Sequence, residues 1–211
     1  LQRAETLWQE LLSLATAAGD HDLVAKASNN LGILHTLGGR SLEALSSYSR
    51  ALLASQRLGD RRGLAQAHQN LAITFREAGF AYEADAHFHE AVVHARSVDG
   101  DDVLGRAEEE RAILFLLKGD PKMAAASATR ALGRLSKIGD AAGEAEALRV
   151  LGLVALCQDR PDEARDRLSE ALERSRAMGH PLLEAETLQA LAGLERSRGR
   201  DGAAAELADT A

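Results

Sequence analysis

Seven histidines and one cysteine are the residues of this 211-residue chain best suited to metal or nucleophilic chemistry. His87, His89 and His94 crowd one short stretch. A helical zinc site needs two histidines at i and i+4 on one face. Separations of 2, 5 and 7 miss that spacing, so these side chains are expected to be solvated surface histidines. Cys157 has no histidine at a position that suggests pairing, and reads as a reduced, half-buried thiol. A single cysteine also excludes an internal disulfide framework. Neither Gly-x-x-x-x-Gly-Lys nor His-Glu-x-x-His occurs. Glu163–Arg167 and Glu170–Arg174 are i, i+4 pairs of a solvated helix face, each worth about 0.2–0.5 kcal/mol. The expectation is a chain that is not an enzyme, with no catalytic residues, no metal and no cofactor.

The elements that carry these residues are helical. Alanine makes up about a fifth of the chain, which favours helix and disfavours strand. Aromatics are only 3% against 45% hydrophobic, so the apolar material is mostly aliphatic. The net charge of -7 lacks the basic footprint of nucleic-acid binding. The longest apolar run, Ala112 to Leu117, falls far short of the ~20 residues a membrane helix needs. No direct nucleic-acid or membrane partner is expected, and the location is expected to be cytoplasmic. The chain starts at Leu1, partway through a repeating pattern, which suggests a piece of a longer protein.

A period of 40 runs through the sequence without a slip. Ala4, Ala44, Ala84, Ala124, Ala164 and Ala204 form one column. Leu11, Ala51, Ala91, Ala131, Ala171 and Ala211 form another. Gly39, Gly79, Gly119 and Gly199 form a third, broken by Asp159. Gly19, Gly59, Gly139 and Gly179 form a fourth, where Asp99 precedes Gly100. Leu31, Leu71, Leu151 and Leu191 form a fifth, broken by Arg111. Repetition at such a period marks stacked supersecondary units. Each unit reads as two helices, the first over 21–37 and 41–58. Gly suits the left-handed stop of a helix, and the Asp after it can cap the next one. The chain divides into a lone helix over 1–18 and helix pairs over about 20–58, 60–98, 100–138, 140–178 and 180–211. No composition shift marks a linker, so 1–211 reads as a single domain.

These columns resemble the tetratricopeptide repeat, whose pattern is a large residue, Leu-Gly, an aromatic, then Ala, an aromatic and Ala. In the first unit they read Ser28, Leu31-Gly32, His35, Ala44, Tyr48 and Ala51. In the second they read His68, Leu71-Ala72, Phe75, Ala84, Phe88 and Ala91. The 40-residue spacing is similar to the long variety found in kinesin light chains and bacterial regulators. The resemblance implies an all-α, right-handed superhelix of about five helix hairpins plus an extra N-terminal helix, with first helices lining a concave groove.

Carried over position by position, the resemblance implies a peptide-binding groove lined by Asn29, Asn30 and Ile33 of the first unit. Gln66, Gln69, Asn70, Ile73 and Arg76 come from the second, Arg106, Glu109 and Ile113 from the third, and Arg149 and Leu153 from the fourth. Amide side chains donate and accept at once, which suits an extended main chain. Ile33, Ile73, Ile113 and Leu153 form an apolar stripe, whose other reading is packing within the solenoid. The expected function is a protein- or peptide-binding scaffold, more specifically a sensor or effector-binding module of a larger bacterial regulator. The alternative is a structural module that self-associates through its solenoid ends as a homo-oligomer.

Overall fold

The computed structural model describes residues 2–98 and 100–210. Leu1, Asp99 and Ala211, which also figure in the repeat pattern or at its start, lie outside the described residues. Among the described residues there are eleven helices and no strand. They are α1 (Gln2–Ala18), α2 (His21–Leu37), α3 (Ser41–Leu58), α4 (Arg61–Glu77), α5 (Ala81–Arg96) and α6 (Asp101–Leu117). α7 (Pro121–Ile138), α8 (Ala141–Cys157), α9 (Pro161–Met178), α10 (Pro181–Ser197) and α11 (Asp201–Asp209) complete the set.

The helix ends are set by local chemistry. Asp20, Asp60, Asp120 and Asp140 each accept a backbone N–H from the first turn of the next helix, at 3.0 to 3.1 Å. Such caps satisfy donors that a helix leaves orphaned at its start. Gly59 stops α3 at a φ of 67°, in the left-handed region where a Cβ would be strained. Asp159, the break in the glycine column, keeps the same backbone at a φ of 54°. Asp tolerates that conformation better than most non-glycine residues. The three prolines stand at the starts of α7, α9 and α10, where a missing N–H costs little.

The chain packs as two compact units that divide within α6, the first ending at Ala107 and the second beginning at Glu108. In the first unit, Trp8 and Leu12 of α1 pack with Val24, Ala27 and Leu31 of α2 and Ala54 of α3. Ala44 and Tyr48 of α3 meet Leu71 of α4. Ala65 of α4 meets Ala91, Val92 and Ala95 of α5 and Val103, Leu104 and Ala107 of α6. In the second unit, Ala112, Ala128 and Val150 link α6, α7 and α8, and Leu168, Leu191 and Leu194 link α9 to α10. Within each unit the core is thus a succession of seams between consecutive helices, as stacked hairpins require.

The repeat columns explain how close those helices come. Ala44, Ala84, Ala124 and Ala164 are all fully buried. A Cβ added to Gly32 would lie 2.3 Å from the Tyr48 ring, and one added to Gly152 would lie 2.6 Å from Leu168. The small residues are therefore contact points where a neighbouring large side chain presses directly on a backbone.

Candidate functional site

The first-helix wall of the first unit is built on amides. Asn29 of α2 and Asn70 of α4 are joined directly: Asn70 Nδ2 donates to Asn29 Oδ1 at 2.8 Å. Gln66 Nε2, one turn earlier on α4, donates to Asn70 Oδ1 at 3.3 Å. Asn30 Nδ2 donates to the Lys26 carbonyl at 2.9 Å. Lys26, Asn29, Asn30, Asp60 and Gln66 line a cleft of about 180 Å³. Helical spacing explains the grouping, because residues four apart share a face and α2 and α4 occupy equivalent places in successive hairpins. Ile33 stands beyond the amides at 40% exposure, while Ile73 and Arg76 are half-buried. Arg106 is exposed on α6. Gln69 is buried, and its Oε1 has no hydrogen-bond partner.

The corresponding positions of the second unit are ionic. Arg149 of α8 pairs with Glu146 one turn away and with Glu186 of α10 at 3.3 Å. Burial works against the Arg149 charge, but Glu146, Glu186 and Glu109 outweigh it and hold the guanidinium above its ordinary pKa. Glu109 is buried, whereas Leu153 is half-buried. Ile113 is half-buried and packs against Ala112, Ala128 and Val150, so its part of the apolar stripe is partly core. The amides and the ionic set thus belong to different units. Glu186 lies in the fifth hairpin, beyond the four units to which the resemblance assigns groove positions, and it falls in the same column as Lys26, Gln66 and Glu146.

Two sequence expectations are corrected. His87 and His94 are half-buried rather than solvated, whereas His89 is exposed as expected. His68 of α4 and His87 of α5 face each other with their Nδ1 atoms 2.9 Å apart, and the His94 ring stacks on His68 at 5.7 Å. His87 in turn stacks on Phe75 at 5.4 Å. At 2.9 Å one imidazole must donate and the other accept. Burial, with His87 and His94 alongside, lowers the His68 pKa to about 4 against a smaller opposing effect of Glu90. The linear spacing of histidines on one helix did not reveal this, because the third ring comes from another helix. Cys157, expected to be half-buried, is exposed at the end of α8. Arg111, which breaks the leucine column, lies over the Phe115 ring at 5.2 Å, keeping its stem packed as a long cationic side chain can.

No protein-family model matches the chain, and no curated protein matches its sequence. Solved structures do match. BtubC from P. vanneervenii is 19% identical with a TM-score of 0.80, over 99% of this chain and 88% of that one. A Rap protein in complex with competence and sporulation factor is 14% identical with a TM-score of 0.79, over 89% of this chain and 52% of that one. A signal transduction ATPase with numerous domains and a tetratricopeptide repeat sensor, from Pyrococcus horikoshii, is 17% identical with a TM-score of 0.72. There the match covers 98% of this chain but 32% of the other. With the helix hairpins and their 40-residue columns, these likenesses establish the chain as a tetratricopeptide-repeat-like, all-α fold.

Proposed function

We propose that the chain is a non-catalytic scaffold that holds an extended protein segment on the amide-bearing wall of its first unit, as a sensor or effector-binding module of a larger bacterial regulator. The joined amides of Asn29, Asn70 and Gln66 beside the exposed Ile33 carry this reading. Carboxamides offer both halves of a main-chain hydrogen bond, and an apolar side chain alongside supplies the burial that polar contacts lack. The Rap structure is a complex with a bound factor, and the ATPase repeats are named a sensor, which supports a receiving role for such a wall. Both of those proteins are much longer than this chain.

An arrangement that invites an enzymatic reading is Ser47–His35–Glu5. His35 Nδ1 lies 3.1 Å from Ser47 Oγ, and its Nε2 lies 3.3 Å from Glu5. Arg40, however, takes both Glu5 oxygens at 2.9 and 2.7 Å and is the main reason that carboxyl sits below its usual range. A carboxylate so neutralised gives an imidazolium little support. The arrangement reads as a structural tie from α1 to the α2–α3 turn.

Peptides selected on the intact chain from a random linear-peptide display library test the proposal. Asn70→Ala should weaken the selected peptides about five- to tenfold, the worth of one directed hydrogen bond, without loss of helicity. Ile73→Asp should weaken them further. Unchanged affinity in both variants would place recognition elsewhere. The alternative, self-association, has support in Leu7 and Leu14 of α1, which are 58% and 69% exposed. Light scattering over a concentration series decides it: a strict monomer retires that reading.

A further inference from the structure

Side chains forty residues apart occupy equivalent seats in successive hairpins, so the chain carries its own comparison. In the third hairpin, Arg130 of α7 holds the Glu108 carboxylate in a fork. Its Nε donates to Oε1 at 3.0 Å and its Nη2 to Oε2 at 2.7 Å. The same Nη2 donates to Ser127 Oγ at 2.9 Å. Two periods earlier, those three seats are filled by Arg50, Ser28 and Ser47. The first hairpin keeps the arginine and the neighbouring hydroxyl but has lost the carboxylate. Arg50 is exposed and makes no hydrogen bond or ion pair among the described residues.

Arg57, two turns further along α3, is exposed and equally unpaired. Both arginines border a cleft of about 440 Å³, where the ends of α1 and α3 meet the start of α2. Leu53 and Ala54 of α3 lie between them in sequence, and with Val24 of α2 they give the cleft an apolar floor. Thr16 and His21 add polar edges, and no carboxylate lines the cleft. The neighbouring Asp20 is committed elsewhere, since its Oδ1 accepts the Leu23 N–H at 3.0 Å. The cleft therefore carries positive charge in a chain whose net charge is -7.

We propose that this cleft binds an acidic peptide segment, with one carboxylate on Arg50, a second on Arg57 and an apolar side chain on Leu53 and Ala54 between them. The Arg130–Glu108 fork shows which partner this seat takes when the chain supplies one. Guanidinium groups match carboxylates in that forked geometry. Seven helical residues separate the two arginine positions by about 10 Å, so a single small anion does not use both, whereas a peptide with spaced acids does. An acidic chain repels an acidic ligand over most of its surface, which leaves the cleft as the favoured place of contact. The cleft shares no residue with the amide-lined one, so the two sites stand or fall separately.

The test is a heteronuclear NMR titration of the full chain at neutral pH and low salt. The probe is the acetylated, amidated pentapeptide Glu-Ala-Leu-Ala-Glu, which places both acids and the leucine on one side when extended. Saturable shifts centred on Val24, Arg50, Leu53, Ala54 and Arg57 are expected, with a dissociation constant on the order of 1 mM. Added salt should weaken the binding, because exposed ion pairs are screened. Arg50→Gln and Arg57→Gln should each weaken it about three- to fivefold, and the double variant at least tenfold, with helicity unchanged. Asn70→Ala should leave the titration as it is. Equal binding of the Gln-Ala-Leu-Ala-Gln peptide, or undiminished binding in the double variant, would overturn the assignment. Displacement of the peptide by an equal concentration of inorganic phosphate would also overturn it, by showing a site for a lone anion.

Discussion

The first and second hairpins share a backbone plan and differ in what fills it. Ala44 and Ala84 are equally buried, and Tyr48 and Phe88 occupy the same buried position of the repeat. Yet one seam holds three packed imidazoles where the other carries Ser28, Ser47 and Ala54. The same seat in the second unit holds Glu108, clamped by Arg130 at 3.0 and 2.7 Å, and then Leu148 and Leu188. Small-residue columns set how closely helices approach, and the seat beside them is free to be polar or apolar. Variation there changes chemistry without changing the stack.

The largest effect should come from the carboxylate seat. Glu108 is 1% exposed, and removing the guanidinium takes two charge-assisted hydrogen bonds from a buried carboxylate. Arg130→Ala should cost about 3–5 kcal/mol in urea unfolding, whereas Glu108→Leu, which copies Leu148, should be near neutral. A loss below about 1 kcal/mol for Arg130→Ala would break the claim that this seat depends on pairing.

The imidazole seat should show itself in pH. The His68 pKa is about 4 in the folded chain, below the ordinary value of 6.5. Between those values the unfolded chain takes up a proton that the folded chain refuses. Stability from this group is therefore complete above about pH 6.5, falls as the pH is lowered, and levels off below about 4. The span corresponds to roughly 3 kcal/mol. His68→Phe should flatten the unfolding free energy across that window, and an unchanged slope would remove His68 from the seam's pH response.

The smallest effects compare an alanine column with the seat beside it. Ala84→Leu should cost about 1–3 kcal/mol by overpacking. Ser28→Ala, which removes a buried hydroxyl with no hydrogen-bond partner at little change of volume, should instead be neutral or gain up to about 1 kcal/mol. A loss of about 1 kcal/mol or more for Ser28→Ala by urea denaturation would mean that the hydroxyl is paired.

Most of the fold was legible in the residues. The helix over 41–58 could be bounded in advance because Gly59 must take a left-handed backbone and Asp60 must cap the next helix. The alanine columns told where helices touch, since a larger side chain there would collide with its close-packed neighbours. The candidate site was legible only in part. Asn29, Asn70 and Gln66 come together as their columns implied, but Gln69 and Glu109 are buried, and Ile113 is half-covered by the core. A helical position marks a face; how deeply a neighbouring helix covers that face depends on side chains far away in sequence.

The helices, their ends and their pairing into hairpins are written in the residues, because capping, glycine conformation and a 40-residue period act over short stretches of chain. Which polar side chains meet is settled by packing in three dimensions. His68 finds His87 and His94, Arg149 finds Glu186, and Ser28 finds no one, since each outcome depends on the volume of side chains contributed by other helices.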